Sequence, residues 1–166
     1  FWAAPVELGA QDRMRRVRDW LKNDALSDAI NITPNDVKHH VDIWFRWGAN
    51  CLFGYVSSLA LLARMARQQG LDLTGLRDRG LRAIVTTAEI LGDSRRVISE
   101  AFGVPVYDSY GIRECGLIGH DCAHFTMHTN DEQMMLETID RRTLEPTEGE
   151  GELVATVLAS RCMPVI

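Results

Sequence analysis

The chain has 166 residues, 46% of them hydrophobic and 25% charged, the proportions of an ordinary globular domain. Eighteen Lys and Arg against twenty-three Asp and Glu leave a formal charge of −5, which argues against nucleic acid as a partner. The longest apolar runs, such as Leu59 to Ala63, fall far short of the roughly 20 residues that cross a bilayer, and no secretory h-region leads the sequence. A cytoplasmic protein without a membrane span is expected.

Phe1 to Glu7 reads as an edge strand or extended segment because of Pro5. The start at Phe1-Trp2 without Met, and the strand-like stop at Met163-Pro164-Val165-Ile166, lead us to expect a fragment of a longer protein. From Gln11 to Lys22, Met14, Val17 and Leu21 recur at helical spacing. The arginines Arg13, Arg15, Arg16 and Arg18 on that helix read either as a grip for a phosphate or carboxylate or, more simply, as a solvated face with Asp12 and Asp19. Thr33-Pro34 starts a helix that should run to about Trp47, with Val37, Val41, Trp44 and Phe45 as its apolar stripe. His39 and His40 lack acid or cysteine partners at ligand spacing and read as surface or capping residues.

After Gly48 the pattern changes. Cys51 to Tyr55 reads as a buried strand, Ser57 or Ser58 caps a helix through about Gln69, and Gly70 closes it. Leu81 to Thr86 is a second strand, Asp93 starts a helix ending near Phe102-Gly103, and Val104 to Tyr107 is a third strand that Asp108, Ser109 and Gly111 then break. Strand, helix, strand, helix, strand implies two βαβ crossovers and a parallel sheet, so the fold class is α/β. Parallel strands would bring Tyr55-Val56-Ser57, Thr86-Thr87-Ala88-Glu89 and Asp108-Ser109-Tyr110-Gly111 to one sheet edge, where ligands bind in open α/β sheets. Read blandly, Ser57, Asp93 and Asp108 are only caps and turn residues. Beyond Glu114 the character is antiparallel: Gln133 to Ile139, an acidic turn from Asp140 to Gly151, and Glu152 to Leu158 form a β-hairpin. The expected organisation is a helical lead-in over 1–48, a βαβαβ part over 49–114, and a Cys/His loop with the hairpin over 115–166.

Cysteines occur at 51, 115, 122 and 162 without an evident disulfide framework, so free thiols or metal ligands are expected. Cys115, His120, Cys122, His124 and His128 crowd fourteen positions with soft or borderline ligands. Zinc takes such ligands tetrahedrally, and a plausible set is Cys122, His128 and Cys162, with Cys115, His120 or His124 as the fourth. A metal-free loop with incidental histidines is the alternative, and any metal here would be structural.

Together these residues resemble the adenylate-forming enzymes, specifically the phenylacetate–CoA ligase-like branch with its capsular-polysaccharide-type members. Tyr110-Gly111-Ile112-Arg113-Glu114 is similar to that superfamily's Tyr-Gly-x-Thr-Glu motif, and Thr86-Thr87-Ala88-Glu89 to its adenine-side turn. Phe53-Gly54-Tyr55-Val56-Ser57-Ser58-Leu59 resembles the branch's Gly-Tyr-Pro-Ser-(Ala/Ser)-Leu segment, with Val56 in place of Pro. Gly151-Glu152-Leu153-Val154 and Met163-Pro164-Val165-Ile166 resemble the strand pair that leads to the ribose-binding stretch.

The resemblance implies activation of a carboxylic acid by ATP and magnesium to an acyl-adenylate, followed by transfer to a thiol such as coenzyme A. It assigns Thr87, Ala88, Glu89, Asp108, Ser109, Tyr110 and Gly111 to the nucleotide, Glu114 to magnesium with Arg113 beside the phosphates, and Tyr55 and Ser57 to the acyl-pocket wall. Cys122 and His128 fit a Cys-x5-His element similar to the metal-binding pair of some members. Arg113 stands where most of the superfamily has Thr or Ser, which tilts the likeness towards the capsular type and leaves the acyl acceptor open. A surface Arg113 paired with Glu114 is its simpler reading. We find no Ser/Thr/Gly-rich phosphate loop and no lid with a catalytic lysine in these 166 residues, so the chain by itself is expected to be inactive. The alternative is a non-catalytic, zinc-stabilised nucleotide-binding or partner-binding module. A homodimer is an assembly left open, and a dinucleotide oxidoreductase is disfavoured because no G-x-G-x-x-G follows a strand.

Overall fold

The computed structural model describes residues 10–27 and 32–158, without the side chains of residues 10–13, 15 and 16. The expectations for Phe1 to Glu7, Cys162 and Met163 to Ile166 therefore lie outside the described residues. The chain divides into two compact units, the first ending at Tyr107 and the second beginning at Asp108.

In the first unit, α1 (Ala10–Leu21) forms as its spacing predicts, yet Met14, Val17, Trp20 and Leu21 stay largely exposed. Arg18 pairs with its neighbour Asp19 at 3.0 Å, which fits a solvated face; the side chains of Arg13, Arg15 and Arg16 are not among those described. Helix α2 (Pro34–Trp47) begins at Thr33, whose N–H and hydroxyl both donate to Oδ2 of Asp36 at 2.8 and 2.5 Å. Gly48 ends it in the left-handed conformation at φ 60°, with its N–H donating to the Trp44 carbonyl. His40 corrects the surface expectation: one turn before Trp44 on the same face, it is buried with its ring stacked at 6.2 Å from the indole.

Strands β1 (Cys51–Tyr55) and β2 (Ala83–Thr87) pair in parallel, from Cys51 opposite Ala83 to Tyr55 opposite Thr87. Between them run α3 (Val56–Gln68) and the single turn α4 (Gly75–Asp78), and α5 (Ser94–Phe102) follows β2. Helix α3 buries Leu59, Leu62, Ala63 and Ala66, the i, i+3, i+4, i+7 face of a helix lying on a core. With Leu52, Ile84, Ile98, Phe102 and Trp44 these residues form one hydrophobic cluster. Each large side chain so buried contributes about 1.5–3 kcal/mol of transfer free energy. Strand β1 was expected to be buried throughout, but Cys51 and Phe53 are exposed while Leu52 and Gly54 are buried. The helices cover the face that carries Leu52 and Gly54, while Cys51 and Phe53 on the other face line a cavity with Arg18, Lys22 and Trp47. Helix α4 was not anticipated; four residues are too few to show a period, and Asp72 nucleates the turn by accepting the Thr74 N–H and hydroxyl at 2.9 and 2.6 Å.

Strand β3 (Val106–Ile112) enters from the first unit, where the Ile84 N–H donates to the Pro105 carbonyl at 3.0 Å, and continues into the second. This corrects the expectation that Asp108, Ser109 and Gly111 break the strand. They lie within it, because β4 (Gly116–Asp121) returns antiparallel and supplies the ladder. A bulge between Tyr110 and Gly111 absorbs the irregularity. Strand β5 (Met127–Thr129) pairs with β4, placing His120 opposite His128, so the expected Cys/His loop is largely hairpin. The expected final hairpin is present as β6 (Met134–Ile139) and β7 (Glu152–Val157), with Met134 opposite Val157 and Ile139 opposite Glu152. The fold is α/β, with parallel strands flanked by helices and an antiparallel region after them.

Candidate functional site

In the first unit the carboxyl ends of β1 and β2 lie side by side, so Tyr55, Ser57, Thr87, Ala88 and Glu89 come together. Thr86, fully buried, anchors this edge by donating its hydroxyl to the Tyr107 carbonyl at 3.2 Å. Beyond it the chain turns sharply: Ala88 sits at φ 67°, a left-handed conformation that costs an L-residue with a Cβ about 1–2 kcal/mol. The turn directs Glu89 onto the start of α3. Its Oε2 accepts the Ser57 N–H at 2.5 Å and its Oε1 accepts the Ser57 hydroxyl at 2.8 Å. Glu89 thus satisfies one of the orphan donors of a helix whose own N-cap, Tyr55, offers no side-chain hydrogen bond. Ser57 or Ser58 was expected as the cap; both lie inside the helix, and Ser57 is instead the donor to a carboxylate 32 residues away.

In the second unit Asp108, Ser109, Tyr110 and Gly111 lie along β3, while Arg113, Glu114 and Cys115 form its turn into β4. The Ser109 side chain is buried, whereas the Tyr110 ring is half exposed and presents a flat apolar surface. Gly111 has no room for a side chain, since a Cβ there would stand 2.5 Å from the Gly116 carbonyl oxygen. Arg113 and Glu114 are exposed, and among the described residues they form no ion pair with each other, contrary to the simpler reading of Arg113. An exposed carboxylate at a turn, held by none of the described residues, is a hard oxygen donor open to a divalent cation.

Asp121 was missed by sequence reasoning. It is buried at the end of β4, and its Oδ2 accepts the Asp108 N–H at 2.8 Å, fixing the backbone at the start of the Asp108 to Gly111 run. An aspartate closing the run Leu117-Ile118-Gly119-His120-Asp121 was the available signal, legible only once that run is read as a strand.

The metal-ligand expectation separates into parts. Cys122 and His128 do come together: the His124 and Thr126 N–H groups and then the His128 imidazole hold the Cys122 thiol below its usual range. The His124 N–H lies 3.4 Å from the sulfur. Cys115 does not join them, because it stands at the other end of β4, a six-residue strand about 20 Å long. Among the described residues no three His, Cys, Asp or Glu side chains converge as a metal site.

A cavity of about 810 Å³ in the first unit, lined by residues including Arg18, Lys22, Trp47, Asn50 and Phe53, contains none of the residues that the resemblance assigns to the site. No described helix is long and apolar enough to cross a membrane.

No protein-family model matches the chain. No curated protein sequence matches it either. Solved structures do. A 2-hydroxyisobutyryl-CoA ligase, in an open conformation with 2-HIB-AMP and CoA, superposes with a TM-score of 0.69 at 21% identity, over 82% of this chain and 33% of the ligase. The anthranilate CoA ligase AuaEII with anthranoyl-AMP gives 0.59 at 16% identity, over 76% and 25%. Apo MatB from Rhodopseudomonas palustris gives 0.58 at 17% identity, over 74% and 25%. The chain shares its fold with a portion of each, and spans a third or less of their length.

Proposed function

We propose that this chain is the nucleotide-side portion of an ATP-dependent, AMP-forming acid–CoA ligase, from a fold held in common with three proteins whose structures are described as CoA ligases or as MatB. The observation that carries the reading is that Tyr110-Gly111-Ile112-Arg113-Glu114 lies on the end of β3 and its turn, with Gly111 held to glycine by the Gly116 carbonyl and Glu114 exposed without a described partner. In this reading Tyr110 stacks on adenine, Asp108, Ser109 and Gly111 offer backbone partners, and Thr87 and Ala88 with Glu89 form the adenine-side turn of the first unit. Tyr55 and Ser57 line the acyl pocket. Glu114 would hold magnesium, which supplies charge neutralisation on the phosphates, and Arg113 would add positive charge there.

The acid carboxylate attacks the α-phosphorus of ATP, the bond to pyrophosphate breaks, and the acyl-adenylate then acylates the thiol of coenzyme A with release of AMP. We place the parent enzyme in the cytoplasm and, on Arg113 and the Cys122-to-His128 spacing, in the phenylacetate–CoA ligase-like branch. Cys122 and His128 would be two ligands of a structural zinc completed by Cys162 and one more donor. Alone, the 166-residue chain should not complete the reaction, since we identify neither a phosphate loop nor a lid lysine within it.

The Cys122–His128 pairing also suits a second reading, a zinc-stabilised binding module without catalysis. Glu114→Gln in the full-length protein separates the two. It should lower magnesium-dependent ATP–pyrophosphate exchange by about 10²-fold or more in the ligase and leave nucleotide affinity nearly unchanged in the module.

A further inference from the structure

The contact between Glu89 and Ser57 has features that adenine binding does not require. Both residues are exposed, so the contact rescues no desolvated group and is not needed to bury either side chain. It is nevertheless two-pronged: one carboxylate takes both the backbone N–H and the hydroxyl of the same residue, at 2.5 and 2.8 Å. Helix α3 has no acidic residue in its first turn and no side-chain hydrogen bond from its N-cap, so Glu89 supplies the hydrogen-bond acceptor its N-terminus lacks. The carboxylate is aimed there by Ala88 at φ 67°, a backbone conformation that persists only where its surroundings hold it.

We propose that Glu89 is a positioning residue that ties the turn after β2 to the first turn of α3, so that the wall formed by Tyr55 and Ser57 is held in place for the acid. This rests on the ligase reading above, and it adds to the place of Glu89 in the adenine-side turn a role exerted through Ser57. The contact is one of placement. Glutamine at 89 can reproduce it, its carbonyl accepting the Ser57 N–H and its amide donating to the Ser57 hydroxyl, whereas a metal-binding or charge-stabilising glutamate cannot be so replaced.

The test compares Glu89→Ala and Glu89→Gln in the full-length protein by amide hydrogen exchange and by steady-state kinetics with the preferred acid. Glu89→Ala should speed exchange of the Ser57 amide about tenfold and raise KM for the acid about tenfold, with kcat changed by less than about threefold. Glu89→Gln should restore both to near the parent values. Unchanged Ser57 exchange in Glu89→Ala would overturn the proposal, as would Glu89→Gln as impaired as Glu89→Ala, which would mean that the charge and not the placement matters. If the parent protein exchanges pyrophosphate with no acid, the ligase reading fails, and the amide-exchange arm still decides whether Glu89 holds α3.

Discussion

Replacing Gly111 by alanine tests whether the β3–β4 turn is built as described. An added Cβ would meet the Gly116 carbonyl oxygen at 2.5 Å, and the Gly116 carbonyl carbon and Leu117 Cα at 3.3 Å. Restoring ordinary contact requires the two strands to part by about 0.9 Å at a point where Gly111 stands opposite Leu117 in the ladder. The obstacle is backbone, which cannot rotate aside, so the cost belongs at the upper end of overpacking, about 3 kcal/mol. For a domain of this size that is a fall in Tm of roughly 6–12 °C. Gly116→Ala is the control. Gly116 has φ 78° but nothing within 4 Å of its would-be Cβ, so only the left-handed penalty of about 1–2 kcal/mol applies. Urea and thermal unfolding of both variants should rank Gly111→Ala as the more damaging. The reasoning fails if Gly111→Ala costs no more than Gly116→Ala, or lies within about 0.5 kcal/mol of the parent.

Phe102, fully buried and 6.0 Å from the Trp44 ring, should lose about 3–5 kcal/mol on truncation to alanine, read as a lowered urea midpoint at constant m. Cys122 and Cys51 are shifted in opposite directions, Cys122 down chiefly by the His124 N–H and Cys51, though its side chain is exposed, up by partial desolvation in the cavity wall it shares with Trp47 and Phe53. In zinc-free protein, iodoacetamide at neutral pH should therefore label Cys122 before Cys51 by peptide mass analysis, and His128→Asn should narrow the gap. The Asp36 carboxyl is held below its usual range by the Thr33 hydroxyl first and the Thr33 N–H second. A depressed folded pKa gives stability that is full above the unfolded value near 3.8 and is lost as pH falls through the folded one. Thr33→Ala should lower the neutral plateau of the stability–pH curve and flatten its acid limb, the two proteins converging as pH falls below about 4.

Where a segment's own chemistry decides its structure, the sequence was a sufficient guide. Thr33-Pro34 and Gly48 bound α2 as capping rules require, and Gly103 at φ 67° ends α5. Where a distant partner decides, it was not. Asp108, Ser109 and Gly111 are turn formers by type, and only the returning strand β4 keeps them extended. His40 is polar in sequence and buried in fact because Trp44 stands one turn on. The candidate site divides in the same way: Tyr55, Thr87 and Ala88 follow from parallel pairing, whereas the hold of Glu89 on Ser57 and of Asp121 on Asp108 depends on pairs 32 and 13 residues apart. Cys115 and Cys122 looked like neighbours in a loop, and an intervening strand sets them at opposite ends.

The most direct test of the account is ATP–pyrophosphate exchange by the full-length protein against a panel of aryl and aliphatic acids, with zinc content measured on the same sample. The account predicts magnesium-dependent exchange that rises with one class of acid and is lost in Glu114→Gln. Folded protein that binds ATP but exchanges with no acid would contradict it.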